Sequence, residues 1–223
     1  MLHQSTLESF EDLALDPPVR GFLHVPGHAT GDGLVLTHGA GSNAQAPLLR
    51  ALSDLFAEGG FQVLRCNLPY RQLRSYGPPR PGDAARDRAG LANAFVALKK
   101  SVPGRLFLGG HSYGGRQSTM LAAESPGLVE GLLLMSYPLH PPGKKEQLRI
   151  QHLPKLNIPA LFVHGTRDPF GSIEEMEAAL KLIPARTRLE RVEGAGHDLG
   201  FKGKSTSPAL PGRIRQAFQE FFA

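Results

Sequence analysis

A serine flanked by glycines lies where a nucleophile could act. Within Leu106-Phe-Leu-Gly-Gly-His-Ser-Tyr-Gly-Gly115, Ser112 comes two residues after Gly110 and two residues before Gly114. An apolar run ends at this stretch, and an alanine-rich segment with helical character follows it. A serine on a tight strand-to-helix turn needs small neighbours, and its Oγ is then exposed above the sheet. The pattern predicts Ser112 as a nucleophile for attack on an acyl carbon, with the helix N-terminus stabilising negative charge nearby.

A serine hydroxyl needs a base, and the base needs a third group that fixes its orientation. Asp168 follows the predicted strand 160–164 after the turn Gly165-Thr-Arg, and His197 follows a predicted strand that ends at Val192. Open parallel sheets meet their ligands at the carboxyl ends of their strands. We therefore predict His197 as the general base and Asp168 as the residue that orients it. No metal or organic cofactor is expected.

Other side chains compete for these two roles. Asp198 is adjacent to His197 and is badly placed to orient its ring, so we interpret it as a loop hydrogen-bonding residue. His111 adjoins Ser112 but is expected to point away from it on the turn. A lone histidine is more often structural or solvated than catalytic. The competing histidines are His38, His111, His140, His152 and His164.

Acyl transfer also requires two backbone N–H groups that stabilise the oxyanion. Tyr113, directly after the predicted nucleophile, is expected to supply one of them. The other is expected from the loop 37–42, where Ala40 is the first candidate and Gly41 the second. Gly41 is also a candidate substrate contact. Taken alone, this loop would be an ordinary glycine turn that enters a helix.

Three further residues are candidates for substrate binding. Arg71 and Arg116 carry guanidinium groups that match carboxylates and phosphates. Tyr137 is a candidate for the pocket wall, together with Tyr70 and the proline-rich run 138–142. The alternative is structural: the arginines would then pair with local acids or carbonyls, and the tyrosines would belong to the core.

The elements that must position these residues alternate along the chain. Predicted strands at 34–36, 61–66, 105–108, 132–135, 160–164 and 189–192 are separated by amphipathic helical segments or loops. Such alternation indicates a mostly parallel sheet with helices on both faces. Residues 1–30 are expected to add one or two short antiparallel strands at the sheet edge. We predict a single α/β domain over residues 1–223.

Composition excludes several classes of protein. The chain has 223 residues, and its single cysteine, Cys66, cannot form an internal disulfide. No apolar run approaches the ~20 residues that span a bilayer, and no secretory signal pattern is visible at the start. The net charge of +5 is small, its residues are scattered, and no nucleic-acid motif is present. We expect a cytoplasmic monomer or homodimer whose partner is a small molecule, with no nucleic-acid or membrane partner.

Together these motifs resemble the α/β-hydrolase superfamily, in its small lidless branch near the dienelactone-hydrolase-like proteins. Asn67-Leu-Pro-Tyr-Arg71 and the segment 137–143 are also similar to hydrolase-like proteins of animals, among them testis-expressed proteins and chromatin-complex subunits. The resemblance implies an α/β-hydrolase fold and a serine esterase that acts on a small soluble ester through a Ser-His-Asp triad and an acyl-enzyme. It covers residues 30–223 and rests on His38-Gly-Ala-Gly41, Gly110-His-Ser-Tyr-Gly114, Gly165-Thr-Arg-Asp168 and Gly194-Ala-Gly-His197.

Two features limit what the resemblance implies. Dienelactone hydrolases use cysteine where this chain has Ser112, so their substrate does not carry over. The segment 136–158 is too short for a helical lid domain, which predicts a shallow pocket bordered by this segment and by the loop 70–82. The alternative function is a non-catalytic α/β-hydrolase scaffold that binds a partner protein.

Overall fold

Eight strands form one sheet in the order β1-β2-β4-β3-β5-β6-β7-β8. The structure is a computed structural model, and it describes residues 4–201 and 209–223. β1 pairs antiparallel with β2, and β2 pairs antiparallel with β4, whereas the other neighbours pair parallel. The strands are β1 Thr6–Asp12, β2 Val19–Val25, β3 Gly33–Thr37, β4 Gln62–Cys66, β5 Leu106–His111, β6 Leu132–Met135, β7 Ala160–Gly165 and β8 Thr187–Val192.

Helices cover both faces of the sheet, because the central strands are apolar on both sides. The helices are α1 Pro47–Glu58, α2 Pro69–Leu73, α3 Asp83–Lys99, α4 Tyr113–Glu124, α5 Ile173–Leu180 and α6 Leu210–Phe222. In β3, Leu34 and Leu36 pack in the cluster that contains α1 and α6, and Val35 packs in the cluster that contains α3, α4 and α5. Successive side chains of a strand point to opposite faces, so such a run needs cover on both sides. The predicted fold class is confirmed.

Two element boundaries differ from the sequence prediction near the predicted nucleophile. β5 continues to His111 and α4 begins at Tyr113, so a single residue, Ser112, separates them. The alanine-rich pattern marked the helix only from Arg116, because the glycines of its first turn are poor helix formers. The short helix α2 overlaps the start of the segment 70–82 that was predicted as a loop, and its first residue is Pro69, a position that proline favours.

No large lid is inserted between β6 and β7. The segment 136–158 is irregular except for one 3-10 turn at Leu153–Lys155. The sequence prediction that this segment is too short for a helical lid domain is confirmed. Within residues 4–201 and 209–223, no helix has the length and apolar character needed to cross a membrane.

Candidate active site

The turn that holds Ser112 has a strained backbone. Ser112 adopts φ 52° and ψ −117°, a region that L-residues rarely occupy. A Cβ atom on Gly110 would lie 2.8 Å from the backbone carbon of Gly114, and one on Gly114 would lie 2.6 Å from the carbonyl oxygen of His38. Both glycines are therefore required by close backbone approach, as expected for a nucleophile on a sharp strand-to-helix turn.

The side chains of Ser112, His197 and Asp168 form one chain of hydrogen bonds. Ser112 Oγ lies 2.8 Å from His197 Nε2. His197 Nδ1 lies 2.8 Å from Asp168 Oδ2 and 3.0 Å from Asp168 Oδ1. An ionised carboxylate only accepts hydrogen bonds, so Nδ1 donates to Asp168 and Nε2 is left to accept from the serine hydroxyl. The structure brings together the three residues predicted from the sequence, in the order that proton transfer from a serine requires.

Asp168 lies in the turn after β7, and its side chain is fully buried. Its Oδ1 accepts a hydrogen bond from the Phe170 amide at 2.9 Å. His164 Nε2 lies 3.7 Å from Oδ2 and donates to the Gly171 carbonyl at 2.8 Å. Burial lowers the pKa of His164, so its ring is neutral. The buried Asp168 carboxylate is therefore satisfied by His197 and by one backbone amide, which fixes the direction in which it points.

His197 is held on both sides by rings from other elements. Phe170 stacks on its imidazole, with ring centroids 4.1 Å apart and an interplanar angle of 28°. His111 does not point away as expected: its Nε2 donates to the His197 carbonyl at 2.8 Å, and its ring lines the cavity. Sequence reasoning missed Phe170. An aromatic two residues after the predicted Asp168, in the turn that caps the carboxylate, was the available signal.

The peptide groups of loop 37–42 are oriented by bonds to their carbonyls. Tyr70 Oη donates to the carbonyls of Gly39 at 3.2 Å and Ala40 at 2.8 Å. In a trans peptide the N–H points opposite to the C=O, so the amides of Ala40 and Gly41 point away from Tyr70. A Cβ atom on Gly39 would lie 3.4 Å from Ser112 Cβ, so this loop lies directly against the serine turn.

Three backbone amides near Ser112 have no acceptor within the part of the chain that the structure describes. Among the described residues, the N–H groups of Ala40, Gly41 and Tyr113 donate to no protein acceptor. Tyr113 is the first residue of α4, where an amide has no partner within the helix. Ala40, Gly41 and Tyr113 all line the cavity above Ser112. Backbone donors that line a cavity in this way can stabilise an anionic oxygen bound there.

Arg71 is not a pocket residue, which corrects the sequence prediction. Its guanidinium donates to the carbonyls of Ser42 at 2.7 Å, Ala40 at 3.1 Å and Gly77 at 2.8 Å. The residue is 7% exposed. Its donors are occupied by backbone carbonyls, which corresponds to the structural alternative. Arg71 therefore holds loop 37–42 in place through hydrogen bonds to its carbonyls.

His38 supports the same loop as a neutral side chain. Its Nδ1 donates to the Gly39 carbonyl at 2.9 Å, and its Nε2 accepts from the Leu68 amide at 3.1 Å. Burial lowers the pKa of His38 to about 4, and the ring is fully buried. One donor and one acceptor match the neutral imidazole, so protonation would break the bond from Leu68.

We expect His38 to make folding sensitive to acid. The His38 pKa is about 4 in the folded protein against 6.5 unfolded. Between these pH values only the unfolded state binds the proton, so the free energy of unfolding falls as pH falls. In His38→Gln this decrease should be shallower by about 1 kcal/mol per pH unit between pH 6 and 4.5. Urea denaturation at several pH values measures it. His28→Gln, at an exposed position, is the control, and equal slopes in both variants would contradict the prediction.

A buried carboxylate joins the serine turn to α2. Asp87 on α3 is fully buried; its Oδ2 accepts from Tyr113 Oη at 2.8 Å and its Oδ1 from the Tyr70 amide at 3.0 Å. Burial raises the pKa of Asp87. The Tyr70 and Tyr113 rings meet edge to face with centroids 5.9 Å apart. Sequence reasoning missed Asp87, although an acidic residue on the apolar face of a predicted helix was a usable signal.

The cavity above Ser112 has a volume of about 480 Å³. This value lies within the range of roughly 300–1,000 Å³ that is typical of small-molecule sites. The predicted borders are present, through Pro78 and Pro79 on one segment and Pro138 and Arg149 on the other. The start of α1 and two aromatic rings add walls that were not predicted from the sequence. These further walls are Ala46, Pro47, Leu48, Leu49, Phe170 and Phe201.

Of the remaining predicted substrate contacts, Arg116 lines the cavity and Tyr137 does not. Tyr137 is 1% exposed, and its hydroxyl donates to the Arg149 carbonyl at 2.6 Å. Its ring packs edge to face against Phe162 of β7. Tyr137 comes two residues after the end of β6, so its ring packs in the core and only its hydroxyl reaches the segment that borders the pocket.

A family model described as an alpha/beta hydrolase domain matches residues 31–221. Among solved structures, dienelactone hydrolase from Anabaena variabilis is 23% identical, with a TM-score of 0.76 over 99% of this chain and 98% of that one. Est1E from Butyrivibrio proteoclasticus is 16% identical, with a TM-score of 0.72 over 95% and 98%. XC6422 from Xanthomonas campestris, described as an a/b serine hydrolase without lid, is 16% identical, with a TM-score of 0.71 over 97% and 94%. At these identities the likeness shows the fold.

Proposed function

Because the chain belongs to the alpha/beta hydrolase domain family, we propose that it is a serine hydrolase that cleaves an ester bond of a compact, water-soluble molecule. One observation carries the proposal: the unbroken contact from Ser112 Oγ through His197 to the buried Asp168 carboxylate. A structural serine has no need of a strained backbone, an oriented imidazole and unused amides at the same point.

In the proposed first step, Ser112 Oγ attacks the ester carbonyl while His197 Nε2 removes the hydroxyl proton. Asp168 stabilises the imidazolium that forms and keeps its Nδ1–H pointing at the carboxylate. The amides of Tyr113 and of Ala40 or Gly41 would stabilise the tetrahedral oxyanion. His197 then gives its proton to the departing alcohol, and an acyl-enzyme remains on Ser112.

In the second step, a water molecule takes the place of the alcohol. His197 removes a proton from this water, which attacks the acyl-enzyme carbonyl. Collapse of the second tetrahedral intermediate breaks the bond to Ser112 Oγ, and His197 returns the proton to the serine. Each step uses protein side chains, backbone amides and water.

A fluorophosphonate probe tests the proposal directly. We expect the native protein to be labelled at Ser112, because only a serine activated by a base attacks such a phosphorus centre at a useful rate. Ser112→Ala should abolish labelling, and His197→Ala should reduce it strongly. Intact mass spectrometry and peptide mapping measure the adduct and its position.

The control for this experiment is Ser118→Ala, a buried serine on the same helix whose hydroxyl bonds the Gly114 carbonyl. It should be labelled like the native protein. Labelling that persists in Ser112→Ala would show that another residue reacts. A native protein that stays unlabelled and is recovered with a stoichiometric partner protein would favour the non-catalytic scaffold instead.

A further inference from the structure

Two arginines line the cavity that holds Ser112. Arg116 and Arg149 both belong to its walls. The Arg116 amide donates to the Ser112 carbonyl at 3.0 Å, so Arg116 lies one helical turn, about 6 Å along the axis, beyond the serine. Arg149 comes from the segment 136–158 that borders the cavity. Two arginines therefore line the same cavity as the predicted nucleophile.

Neither guanidinium has a carboxylate partner. Every Asp and Glu of the chain lies within the described residues, and the arginine ion pairs within 4.0 Å there involve other arginines. Arg116 Nε is buried without a hydrogen-bond partner. Arg149 makes a long contact of 3.3 Å to the Pro138 carbonyl. The neutral hydroxyl of Tyr137 lies next to Arg116 but does not neutralise its charge.

The two positive charges affect their neighbours. Burial and the charge of Arg116 lower the pKa of Arg149. Burial and Arg116 also lower the pKa of His152 to about 4, so that ring is neutral. The acidic side chain among the described lining residues is Asp198. Two guanidinium groups against one carboxylate leave a surplus of one positive charge among the described residues of the wall.

The backbone of Arg149 is fixed from both sides. Its N–H donates to the Leu139 carbonyl at 2.8 Å, and its C=O accepts from Tyr137 Oη at 2.6 Å. Arg116 is fixed by the first turn of α4. Since both backbones are held before any ligand arrives, less ordering is needed when an anion binds. An arginine pair of this kind suits a planar carboxylate, which accepts two parallel hydrogen bonds from one guanidinium.

We propose that Arg116 and Arg149 form a carboxylate subsite, and that the substrate is an ester that carries a carboxylate in addition to its scissile bond. The inference rests on the proposed function and names its substrate class. A surplus of one positive charge matches a single carboxylate better than a phosphate dianion. The carboxylate would orient the ester across Ser112, with its apolar part against the walls near α1.

Matched ester pairs test this subsite. p-Nitrophenyl monosuccinate and p-nitrophenyl butyrate differ only in a terminal carboxylate against a methyl group, as do the monoglutarate and the pentanoate. 4-Acetoxybenzoate and 4-methylphenyl acetate place the same difference on the alcohol side. We expect kcat/KM to be about 10- to 100-fold higher for the acidic member of at least one pair, because charge-assisted hydrogen bonds are strong.

Variants assign that preference to the two arginines. Arg116→Met and Arg149→Met should each lower the ratio of acidic to neutral kcat/KM by about tenfold or more, mainly through KM. Arg86→Met removes the same charge from an exposed arginine that is paired with Asp16, and it should keep the native ratio. A ratio that survives in both cavity variants would overturn the subsite.

A second readout does not depend on turnover. Pentanoate should protect Ser112 from fluorophosphonate labelling at concentrations where pentanamide does not, and either cavity variant should lose this protection. Equal protection by the two compounds, or a native protein that prefers the acidic ester in none of the three pairs, would overturn the subsite while labelling still supports the hydrolase. Absence of both labelling and ester turnover would instead overturn the proposed function.

Discussion

Ser112→Ala and His197→Ala are each expected to lower kcat on an ester substrate by about 10⁴- to 10⁶-fold. In the proposed mechanism the serine supplies the atom that forms the acyl-enzyme, and the imidazole 2.8 Å away is the only base in contact with it among the described residues. The double variant should be scarcely slower than either single variant, because the two groups act as one unit. Steady-state kinetics on one ester with all three proteins measures this.

Losses that multiply in the double variant would contradict the assignment, because they would mean that the two residues act independently. Ser118→Ala is the matched control on the same helix and should lose less than about tenfold, since it keeps the backbone of the serine turn. Circular dichroism and thermal unfolding should show native-like folding in every variant. Residual turnover is expected above the uncatalysed rate, because the amides near Ser112 remain in place.

The sheet was predictable because its signals are local. Strands buried on both faces, such as β6 Leu132–Met135, appear in the sequence as short continuous apolar runs. The serine turn was predictable for a different reason: only glycine tolerates the contact of 2.6 Å that a Cβ at Gly114 would make. Asp168 and His197 followed from a topological rule, since consecutive parallel strands end at the same edge of the sheet.

The supporting residues were harder to predict because their roles depend on distant partners. Asp87 binds Tyr113 across 26 positions of the chain, and His111 binds the His197 carbonyl across 86. No spacing rule encodes such contacts. Arg71 was predicted to bind substrate on its residue type alone. In the structure its N–H groups instead donate to carbonyls of loop 37–42.

The same contrast separates Arg71 from Arg116. Both are arginines near the serine turn, and by side-chain chemistry alone either guanidinium could bind an anion. Arg71 is surrounded by carbonyls of a turning loop, whereas Arg116 lies on a helix whose carbonyls are already used by helical bonds. Local backbone conformation thus decides which guanidinium keeps donors for a ligand. The sequence alone does not show this difference, because it predicts a loop where Arg71 lies on the helix α2.

We expect Asp168→Asn to lower kcat by about 10⁴-fold although it changes one atom. The Phe170 amide donates to Oδ1 at 2.9 Å, so the asparagine must keep its oxygen there and turn its NH₂ toward His197. His197 Nδ1 would then have to accept, and its proton would move to Nε2. An Nε2–H facing Ser112 Oγ cannot remove the serine proton, so the nucleophile loses its base.

The opposite orientation of the side-chain amide in Asp168→Asn is also unfavourable, because it would place an NH₂ group against the Phe170 N–H and leave a buried donor unsatisfied. Asp198→Asn is the matched control: the same chemical change, one residue from His197, at a carboxylate that accepts from the Gly200 amide at 3.0 Å. It should cost less than about tenfold, because the imidazole tautomer does not depend on it. If Asp198→Asn were the more damaging of the two, Asp198 and not Asp168 would orient the base.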